Sequence, residues 1–513
     1  MSSVLDEVVD GVEPAPGILS VMAGSRPAFL LSIDVGTSGV RASLFDDAGA
    51  ERILHPGTRP SVVSDLGEFD PDALVEEVIS TIDELLASSS YTNEIQFIAL
   101  STFWHSLVGV DATGVPTTPL LSWADTRAAR IANNLRASFN ESEIHLRTGC
   151  RFHPSYWPAK LRWIRNEWPE SFAATHQWLG FGEYLCLRLF GGTGGSISLA
   201  SATGLFNQQA CDWDWDFVRA LDISPDTLPR IDDEDRPRLT EPFARRWPAL
   251  AGAKLAVIVG DGATNNIGAG CTTKDKVALM VGTSGAMRVV FAGGPPDELP
   301  PALWSYRASR TRVAVGGALS DGGGLVRWLR ESLNLETADL ESELSALEPD
   351  SHGLTIMPFW SGERSTGWSP DARGVILGLK QETQPVEIVR AALEAIAYRF
   401  ALIARALDAV APNASIVASG NALRYSPVWI QIIADVLGRP VTLGNVREAS
   451  TRGAALLALE AVGKIATIED VSVSSAEVFE PDVFQPDMVR HARYREGLAR
   501  QEELYALLFG RKT

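Results

Sequence analysis

The chain has 513 residues with a formal net charge of −19, and 45% of its residues are hydrophobic. This length favours two large domains or about three smaller ones. The acidic excess argues against nucleic-acid or anionic-membrane surfaces, because both require basic patches. No apolar run approaches the length of a membrane span.

Four cysteines lie far apart and form no CxxC pair: Cys150, Cys186, Cys211 and Cys271. We therefore expect reduced, buried thiols, a cytoplasmic location, and small-molecule rather than nucleic-acid or membrane partners.

The first 26 residues are acidic and rich in small residues, which predicts a disordered extension rather than a signal peptide. Next comes LLSIDVGTSGVRASLF at 30–45, in which two apolar runs flank VGTSG. This pattern predicts a hairpin with Thr37, Ser38 and Gly39 at its tip. Amides and hydroxyls that converge at such a tip suit a phosphate group, and an ordinary hairpin is the alternative.

A helix and a strand follow this hairpin. Asp70 and Pro71 form an N-cap and first-turn pair, and apolar residues continue at helical spacing. The segment IQFIAL at 95–100 is typical of a buried strand and runs into STFWHS. Hairpin, helix and strand in this order indicate an α/β domain with functional residues at strand ends. A less regular, tryptophan-rich stretch at 123–251 predicts an insertion on this first lobe.

The second half repeats the hairpin. A strand at 255–259 leads into GDGATNNIGAG, and VGTSG recurs at 281–285, where it opens a second lobe. GGALSDGGG, a long apolar helix at 386–407, IVASGN and a final helix around 489–509 complete it. We predict a disordered segment at 1–26, a first lobe at 27–255, and a second lobe at 256–513 that carries a docked C-terminal helix, with a ligand held in the cleft between the lobes.

Six ordered segments between residues 28 and 460 resemble the FGGY family of carbohydrate kinases, within the actin-like ATPase superfamily. They are IDVGTSGVRASLFD, VGDGA, VGTSG, GGALSDGGG, GERSTGWSPDARGVILGL and SGNALRYSPVWIQIIADVLGRPV. The resemblance implies an α/β fold of two actin-like (ribonuclease H-like) lobes with an ATP and sugar cleft between them. It also implies that the first lobe binds the sugar and the second lobe binds the nucleotide. The segments STFWHSLVGVDATGVPTTPLLSWADTRA and GCRFHPSYWPAKLRWI are most similar to the gluconate kinase branch.

Phosphoryl transfer from ATP needs in-line positioning, charge neutralisation and a base for the hydroxyl proton. The resemblance implies that Asp261 in VGDGA is this base and contacts the substrate. Asp34, at the end of the first strand, suits Mg²⁺, which one or two carboxylates and substrate phosphates hold. Met280 occupies the corresponding position in the second hairpin, which is expected to hold phosphate oxygens without recruiting the metal.

The resemblance also assigns the ATP contacts to small residues in loops of both lobes. They are Thr37, Ser38, Gly39, Gly282, Thr283, Ser284, Gly322, Gly323, Gly324, Gly420, Asn421, Ala422 and Ser426. Gly322, Gly323 and Gly324 precede a helix whose first amides could meet anionic oxygens.

The sugar pocket is predicted to combine an aromatic face with directed polar groups, because each buried hydroxyl needs a partner. The candidates are Trp104, His105, Trp123, Asp125, Arg127, His153, Tyr156 and Lys160. A sugar acid adds a carboxylate, for which His105, Arg127 and Lys160 are the candidate cations. In the alternative interpretation Arg127 is salt-bridged, Lys160 is a solvated helix residue and His153 is packed in the core. Glu363 and Arg364 are expected to order a loop beside the cleft.

These features predict an ATP-dependent kinase that converts D-gluconate to 6-phosphogluconate. A ketopentose or polyol kinase, acting on xylulose or ribulose for example, is the alternative, and an actin-like assembly ATPase is a remote one. Closure of the lobes should exclude water from the reaction. The sequence does not determine the oligomeric state, and a homodimer is one possibility.

Overall fold

The computed structural model describes residues 29–37, 39–54, 67–88, 95–335, 339–444, 446, 448–471 and 482–510. The predicted disordered extension at 1–26 and the predicted ATP contact Ser38 lie outside the described residues. No helix in the described ranges has both the length and the apolar content needed to cross a bilayer. The four cysteines are unpaired, as predicted, and Cys211 is less buried than the other three.

The first hairpin forms as predicted. The elements of this part of the chain are β1 (Leu30–Gly36), β2 (Gly39–Phe45), β3 (Glu51–Leu54), β4 (Glu68–Phe69), α1 (Pro71–Ser88) and β5 (Phe97–Thr102). β1 pairs antiparallel with β2, with Gly36 opposite Gly39, and parallel with β5. The Asp70 carboxylate accepts hydrogen bonds from the backbone N–H groups of Asp72 and Ala73, so it caps α1 as its position in the sequence predicts.

The tryptophan-rich stretch forms a separate layer of short elements. They are β6 (Val108–Val110), β7 (Leu120–Leu121), α2 (Ala129–Ser138), α3 (Glu141–Thr148), α4 (Trp157–Glu167), α5 (Pro169–Ala174), β8 (Gln177–Leu179), α6 (Phe181–Phe190), α7 (Ile197–Ser201), β9 (Phe206–Asn207), β10 (Asp212–Trp213), α8 (Trp215–Ala220) and α9 (Glu241–Arg246), with 3₁₀ turns at Pro225–Thr227 and Pro248–Leu250. A core that includes Trp157, Trp178 and Trp213 holds much of this layer together.

The next two elements correct the predicted domain boundary. β11 (Lys254–Gly260) pairs parallel with β5, so the first sheet has the order β11-β5-β1-β2-β3. α10 (Asp261–Gly268) follows directly. A division at residues 255 and 256 therefore cuts through a strand of the first lobe, which extends through α10.

The second lobe contains a larger mixed sheet. The remaining elements in chain order are β12 (Lys276–Val281), β13 (Gly285–Ala292), β14 (Trp304–Ser309), β15 (Arg312–Leu319), α11 (Gly323–Ser332), α12 (Leu340–Ala346), β16 (Thr355–Met357), β17 (Val375–Leu377), α13 (Pro385–Leu407), β18 (Ser415–Ser419), α14 (Asn421–Arg424), α15 (Pro427–Leu437), β19 (Val441–Leu443), α16 (Ala449–Ala461), a 3₁₀ turn at Ile468–Asp470, β20 (Val483–Phe484) and α17 (Met488–Phe509). The strand order in the sheet of the second lobe is β14-β15-β13-β12-β18-β19-β20. β12 and β13 form the second hairpin, with Val281 opposite Gly285.

The long apolar helix α13 is central, as predicted, and most of its residues are buried. The final helix α17 packs on the outside, where Tyr494 accepts a 2.7 Å hydrogen bond from Nη2 of Arg390 on α13. α16 departs from the predicted division, because it packs against α10 and the first sheet rather than the second. Oγ of Ser32 on β1 donates a 2.7 Å hydrogen bond to the carbonyl of Thr451 on this helix. After β19 the chain thus returns to the first lobe, and α16 connects the two lobes.

Candidate active site

Asp34 lies at the end of β1 and is 4% exposed. Oγ of Ser101, from the neighbouring strand β5, donates a 2.6 Å hydrogen bond to it, and Arg41 lies 3.5 Å away. Burial raises the pKa of Asp34, while the hydrogen bond and the Arg41 charge act in the opposite direction. The position beside the first hairpin tip agrees with the position that the sequence predicts.

Asp261 is the first residue of α10 and follows β11, two strands from β1 in the same sheet. Burial raises the pKa of its carboxyl to about 6, and the nearby charge of Asp34 adds to this. Arg288 and the backbone N–H groups of Gly262 and Trp104 favour the charged form. The carboxylate is thus mostly ionised at neutral pH and basic enough to accept a proton.

Sequence reasoning missed a third carboxylate, Glu448, which immediately precedes α16. Its carboxylate forms an ion pair with Nε of Arg41 at 2.9 Å. Burial raises the pKa of Glu448, and the charge of Asp34 raises it further. No local motif marks this residue, because it reaches the first sheet only through the return of α16.

The acidic groups fit a divalent cation. The charge of Asp34 raises the pKa of both Asp261 and Glu448, so Asp34 repels each of these two carboxylates, and Arg41 offsets only part of this charge. Oxygen donors are the ligands that Mg²⁺ takes, and a bound cation would relieve the repulsion. Asp34 is the residue best placed to hold it.

The glycine run at 322–324 has a different role from the predicted one. The N–H groups of Gly322 and Gly324 donate 3.0 Å hydrogen bonds to the carbonyl of Thr283, and that of Gly323 donates a 2.8 Å bond to Gly282. These amides are therefore occupied by the second hairpin tip, which includes Ser284, and they hold that tip in place instead of facing anionic oxygens.

The predicted nucleotide loop also packs on this hairpin. Gly420 has a φ of 103°, and a Cβ there would lie 2.2 Å from the carbonyl oxygen of Val281. Asn421 and Ala422 begin the short helix α14. Ser426 caps α15 through Trp429, and its hydroxyl donates a 2.5 Å hydrogen bond to Glu341. This engagement argues against the predicted nucleotide contact of Ser426.

Several predicted sugar-site residues converge beside the predicted base. The Trp104 ring lies edge-on to Tyr306 at 5.0 Å, and His105 contacts Tyr156 at 5.0 Å. The hydroxyls of Tyr156 and Tyr306 are 2.6 Å apart, and the His153 ring lies 6.5 Å from Tyr156. We call Trp104, His105, Tyr156, Tyr306 and Trp304 the aromatic wall.

Trp304 and Tyr306 were not predicted, because both come from β14 of the second lobe. Their rings stack on each other at 4.2 Å, and Trp304 lies 5.8 Å from Trp104. The aromatic wall therefore spans both lobes.

Each of the three predicted carboxylate-binding cations is engaged by other groups of the protein. Burial lowers the pKa of His105 to about 3, so the ring is neutral, and its Nδ1 lies 2.7 Å from the carbonyl of Ala202. Nζ of Lys160 donates to the carbonyls of His105 and Ser122, at 2.8 and 2.7 Å, and burial lowers its pKa to about 7.

Arg127 is held in the salt bridge that was its alternative interpretation. It pairs with Glu68 at 2.5 Å and with Asp125 at 2.6 Å, and it stacks over Trp163. The predicted site residue Asp125 is thereby engaged as well. His153 is 4% exposed with a strongly lowered pKa caused first by burial, which makes it a packed, neutral residue.

Two other arginines, both from the second lobe, lie near Asp261. Arg288 on β13 is 5% exposed, and burial lowers its pKa to about 10, so it remains a cation at neutral pH. Arg364 stacks over the predicted site residue Trp123, with 4.4 Å from its guanidinium carbon to the ring centre, and its Nη2 donates a 2.8 Å bond to Leu319. The Asp261 charge acts on both arginines. Arg288 could have been suspected from sequence, since VGTSGAMR places it on the strand that leaves the second tip.

A cavity among the described residues lies elsewhere. It measures about 350 Å³ and is lined in part by Thr366, Arg399, Arg405 and Tyr505, between α13 and α17. Neither hairpin tip contributes to it, and the same is true of Asp34 and Asp261.

Residues 29–268 match the FGGY family of carbohydrate kinases, N-terminal domain, and residues 277–462 match the C-terminal domain of the same family. The chain belongs to the FGGY family of carbohydrate kinases. The first match ends with α10, which agrees with the corrected lobe boundary.

A gluconokinase from Bacillus subtilis (strain 168) is 31% identical over 470 residues, which cover 87% of this chain and 90% of that protein. The crystal structure of a gluconate kinase from Lactobacillus acidophilus matches with a TM-score of 0.83 and 26% identity, covering 93% of this chain and 98% of that one. A ligand-bound xylulose kinase from Lactobacillus acidophilus matches with a TM-score of 0.82 and 26% identity, covering 94% and 98%. Glycerol kinases are also among the relatives.

As an FGGY kinase, the protein transfers a phosphoryl group to a carbohydrate, and its two lobes have the actin-like ATPase fold. The paired hairpins, one from each lobe, belong to this fold. Gluconate, xylulose and glycerol kinases all resemble the chain, so family membership establishes a small carbohydrate as the substrate without choosing among them.

Proposed function

We propose that this protein phosphorylates the terminal hydroxyl of D-gluconate with ATP and yields 6-phosphogluconate. The observation that carries the proposal is the position of Asp261. Its carboxyl has a pKa of about 6 and is near the charge of Asp34, and Gly260 and Gly262 on either side of it lie against the Trp104 ring. The 31% identical gluconokinase supports the choice of gluconate.

In the proposed reaction, Asp261 accepts the proton of the attacking hydroxyl as the oxygen bonds to the γ-phosphorus of ATP. The bond from that phosphorus to the β,γ-bridging oxygen breaks, and ADP leaves. The first hairpin tip, with Thr37 and Gly39, and the second tip, with Thr283 and Ser284, hold the phosphates from opposite lobes. Asp34 would hold Mg²⁺, which neutralises phosphate charge when bound.

The aromatic wall supplies an apolar face for the carbon chain of the substrate and keeps water from the phosphoryl group. Because Trp304 and Tyr306 belong to the second lobe, the wall is complete only when the lobes are together. This dependence would couple sugar binding to closure and suppress hydrolysis of ATP without a sugar.

The test is a coupled assay of ADP release across a panel of sugar acids, sugars and polyols at fixed ATP and Mg²⁺. We expect D-gluconate to give the highest kcat/KM. The similarity to xylulose and glycerol kinases favours a ketopentose or polyol kinase as the second candidate. A ketose that is turned over while gluconate is not would establish that alternative. ADP release that no carbohydrate stimulates would contradict the proposed reaction and leave the assembly ATPase. A cytoplasmic location and a homodimer remain predictions.

A further inference from the structure

Arg288 presents an unpaired guanidinium edge within the protein. Its Nε and Nη2 atoms are both buried and have no hydrogen-bond partner among the described residues. These two nitrogens carry the parallel N–H groups that bind the two oxygens of one carboxylate. A buried edge of this kind is costly unless a ligand satisfies it.

The guanidinium lies directly beside the predicted base. A Cβ built on Gly262, the residue after Asp261, would be 2.3 Å from Nη1 of Arg288 and 2.3 Å from Cζ3 of Trp104. Only a residue without a side chain leaves room for both groups at this point. Arg288 is thus close both to the residue that follows the base and to Trp104 of the aromatic wall.

Arg364 adds a second charge to the same region. Its Nε is also buried without a hydrogen-bond partner among the described residues. Its charge lowers the pKa of Arg288 and of His105 in the aromatic wall, which means that all three groups are near one another. Two neighbouring positive charges whose unused donor atoms are buried favour the binding of an anion beside them.

Neither arginine is neutralised by ion pairs in the way that the buried Arg312 is. Arg312, for comparison, is 5% exposed and forms ion pairs with both Glu460 and Glu469. Asp261 attracts both Arg288 and Arg364, and Asp321 attracts Arg364, but neither arginine forms an ion pair within 4.0 Å among the described residues.

We infer that Arg288 and Arg364 bind the carboxylate of a sugar-acid substrate and thereby select sugar acids over uncharged sugars and polyols. The inference rests on the proposed function. It replaces His105, Arg127 and Lys160 as the source of the cation. Because both arginines belong to the second lobe and Asp261 to the first, a bound acid would bridge the lobes, with its carboxylate on one and its reacting hydroxyl on the other.

The test compares D-gluconate with D-glucitol, which has the same carbon chain but a hydroxymethyl group in place of the carboxylate. Wild-type turnover of gluconate is measured first and tests the proposed function alone. For Arg288→Gln and Arg364→Gln, assayed at about pH 8 so that Asp261 stays ionised without the arginine charge, we expect the KM for gluconate to rise about 10- to 100-fold, as for the loss of a charge-assisted hydrogen-bond pair, while kcat changes little. The kcat/KM for glucitol should stay within about threefold of wild type, because glucitol has no carboxylate for the arginines to bind. Arg219→Gln, at an exposed arginine on α8, is the matched control.

An unchanged KM for gluconate in both variants would overturn the inference and leave the proposed function intact. An equal loss of kcat with both substrates would also overturn it, because the arginines would then act on the transferred phosphoryl group. A wild-type enzyme that turns over an uncharged sugar but not gluconate would remove the proposed substrate and the carboxylate site together.

A measurement on the wild-type protein tests the inference even if the variants fail to fold. Calorimetric titration should show at least about tenfold tighter binding of gluconate than of glucitol, and equal affinities would contradict the carboxylate site. Arg288→Lys, which keeps the charge but loses the paired donors, should fall between wild type and Arg288→Gln in KM.

Discussion

Replacing Asp261 by asparagine should remove activity and stabilise the fold. The carboxyl and the amide have nearly the same shape, so the substrates should still bind. Without a base, however, the attacking hydroxyl keeps its proton. A positioned general base contributes about 10²- to 10⁴-fold to rate, and we expect kcat to fall by at least about 100-fold.

The stability gain follows from the raised pKa. Burial and Asp34 raise the pKa of Asp261 from its ordinary value of 3.8 to about 6. At 1.36 kcal/mol per pKa unit, the ionised carboxylate costs the folded protein about 3 kcal/mol, which we treat as an upper bound. Because the folded-state pKa is the higher one, this cost is absent below pH about 4 and complete above pH about 6.

The assay combines steady-state kinetics with urea unfolding at several pH values. The free energy of unfolding of Asp261→Asn should exceed that of wild type by about 1–3 kcal/mol at pH 7. At pH 4 the two values should be nearly equal. Asp125→Asn is the matched control, because it removes the ion-pair partner of Arg127 and should lose stability instead. A variant that keeps a tenth of the wild-type kcat, or one that is less stable than wild type at pH 7, would refute the reasoning.

Three further predictions follow from the same geometry. The kcat/KM of the wild-type enzyme should fall tenfold per pH unit below about 6, where Asp261 is protonated, and a flat profile from pH 5 to 8 would argue against it as the base. Gly420→Ala should raise the KM for ATP, since its Cβ would displace the second hairpin tip at a φ of 103°; an unchanged KM in initial-rate assays would contradict this. Arg399→Met should cost about 3–5 kcal/mol in urea unfolding because it leaves Glu363 buried and unpaired, whereas Arg405→Met, in an exposed ion pair, should cost less than about 1 kcal/mol; similar losses would contradict the difference.

Local sequence patterns predicted the hairpins and the positions of Asp34 and Asp261 well. Each of these features depends on a short segment in which apolar runs, glycines and one acidic residue set the backbone path. The cap of α1 by Asp70 and the central helix α13 were predictable for the same reason.

The features that were missed depend on contacts between distant segments. The salt bridge of Arg127 was its alternative interpretation, but its partner Glu68 is 59 positions away, and no pattern around WADTR indicates it. The amides of the glycine run satisfy carbonyls of the second tip, which a helix N-terminus read in isolation does not reveal. Glu448 reaches the carboxylate cluster, and α16 reaches the first sheet, only through the return of the chain after β19.

The central claim is transfer of the γ-phosphoryl group of ATP to the terminal hydroxyl of a sugar acid. The most direct measurement is ³¹P NMR of a reaction that contains the wild-type protein, ATP, Mg²⁺ and D-gluconate. The account predicts loss of the γ-phosphate signal with the appearance of ADP and of one phosphomonoester at C6 of gluconate. ATP consumed to ADP and inorganic phosphate alone, or not consumed, would contradict it.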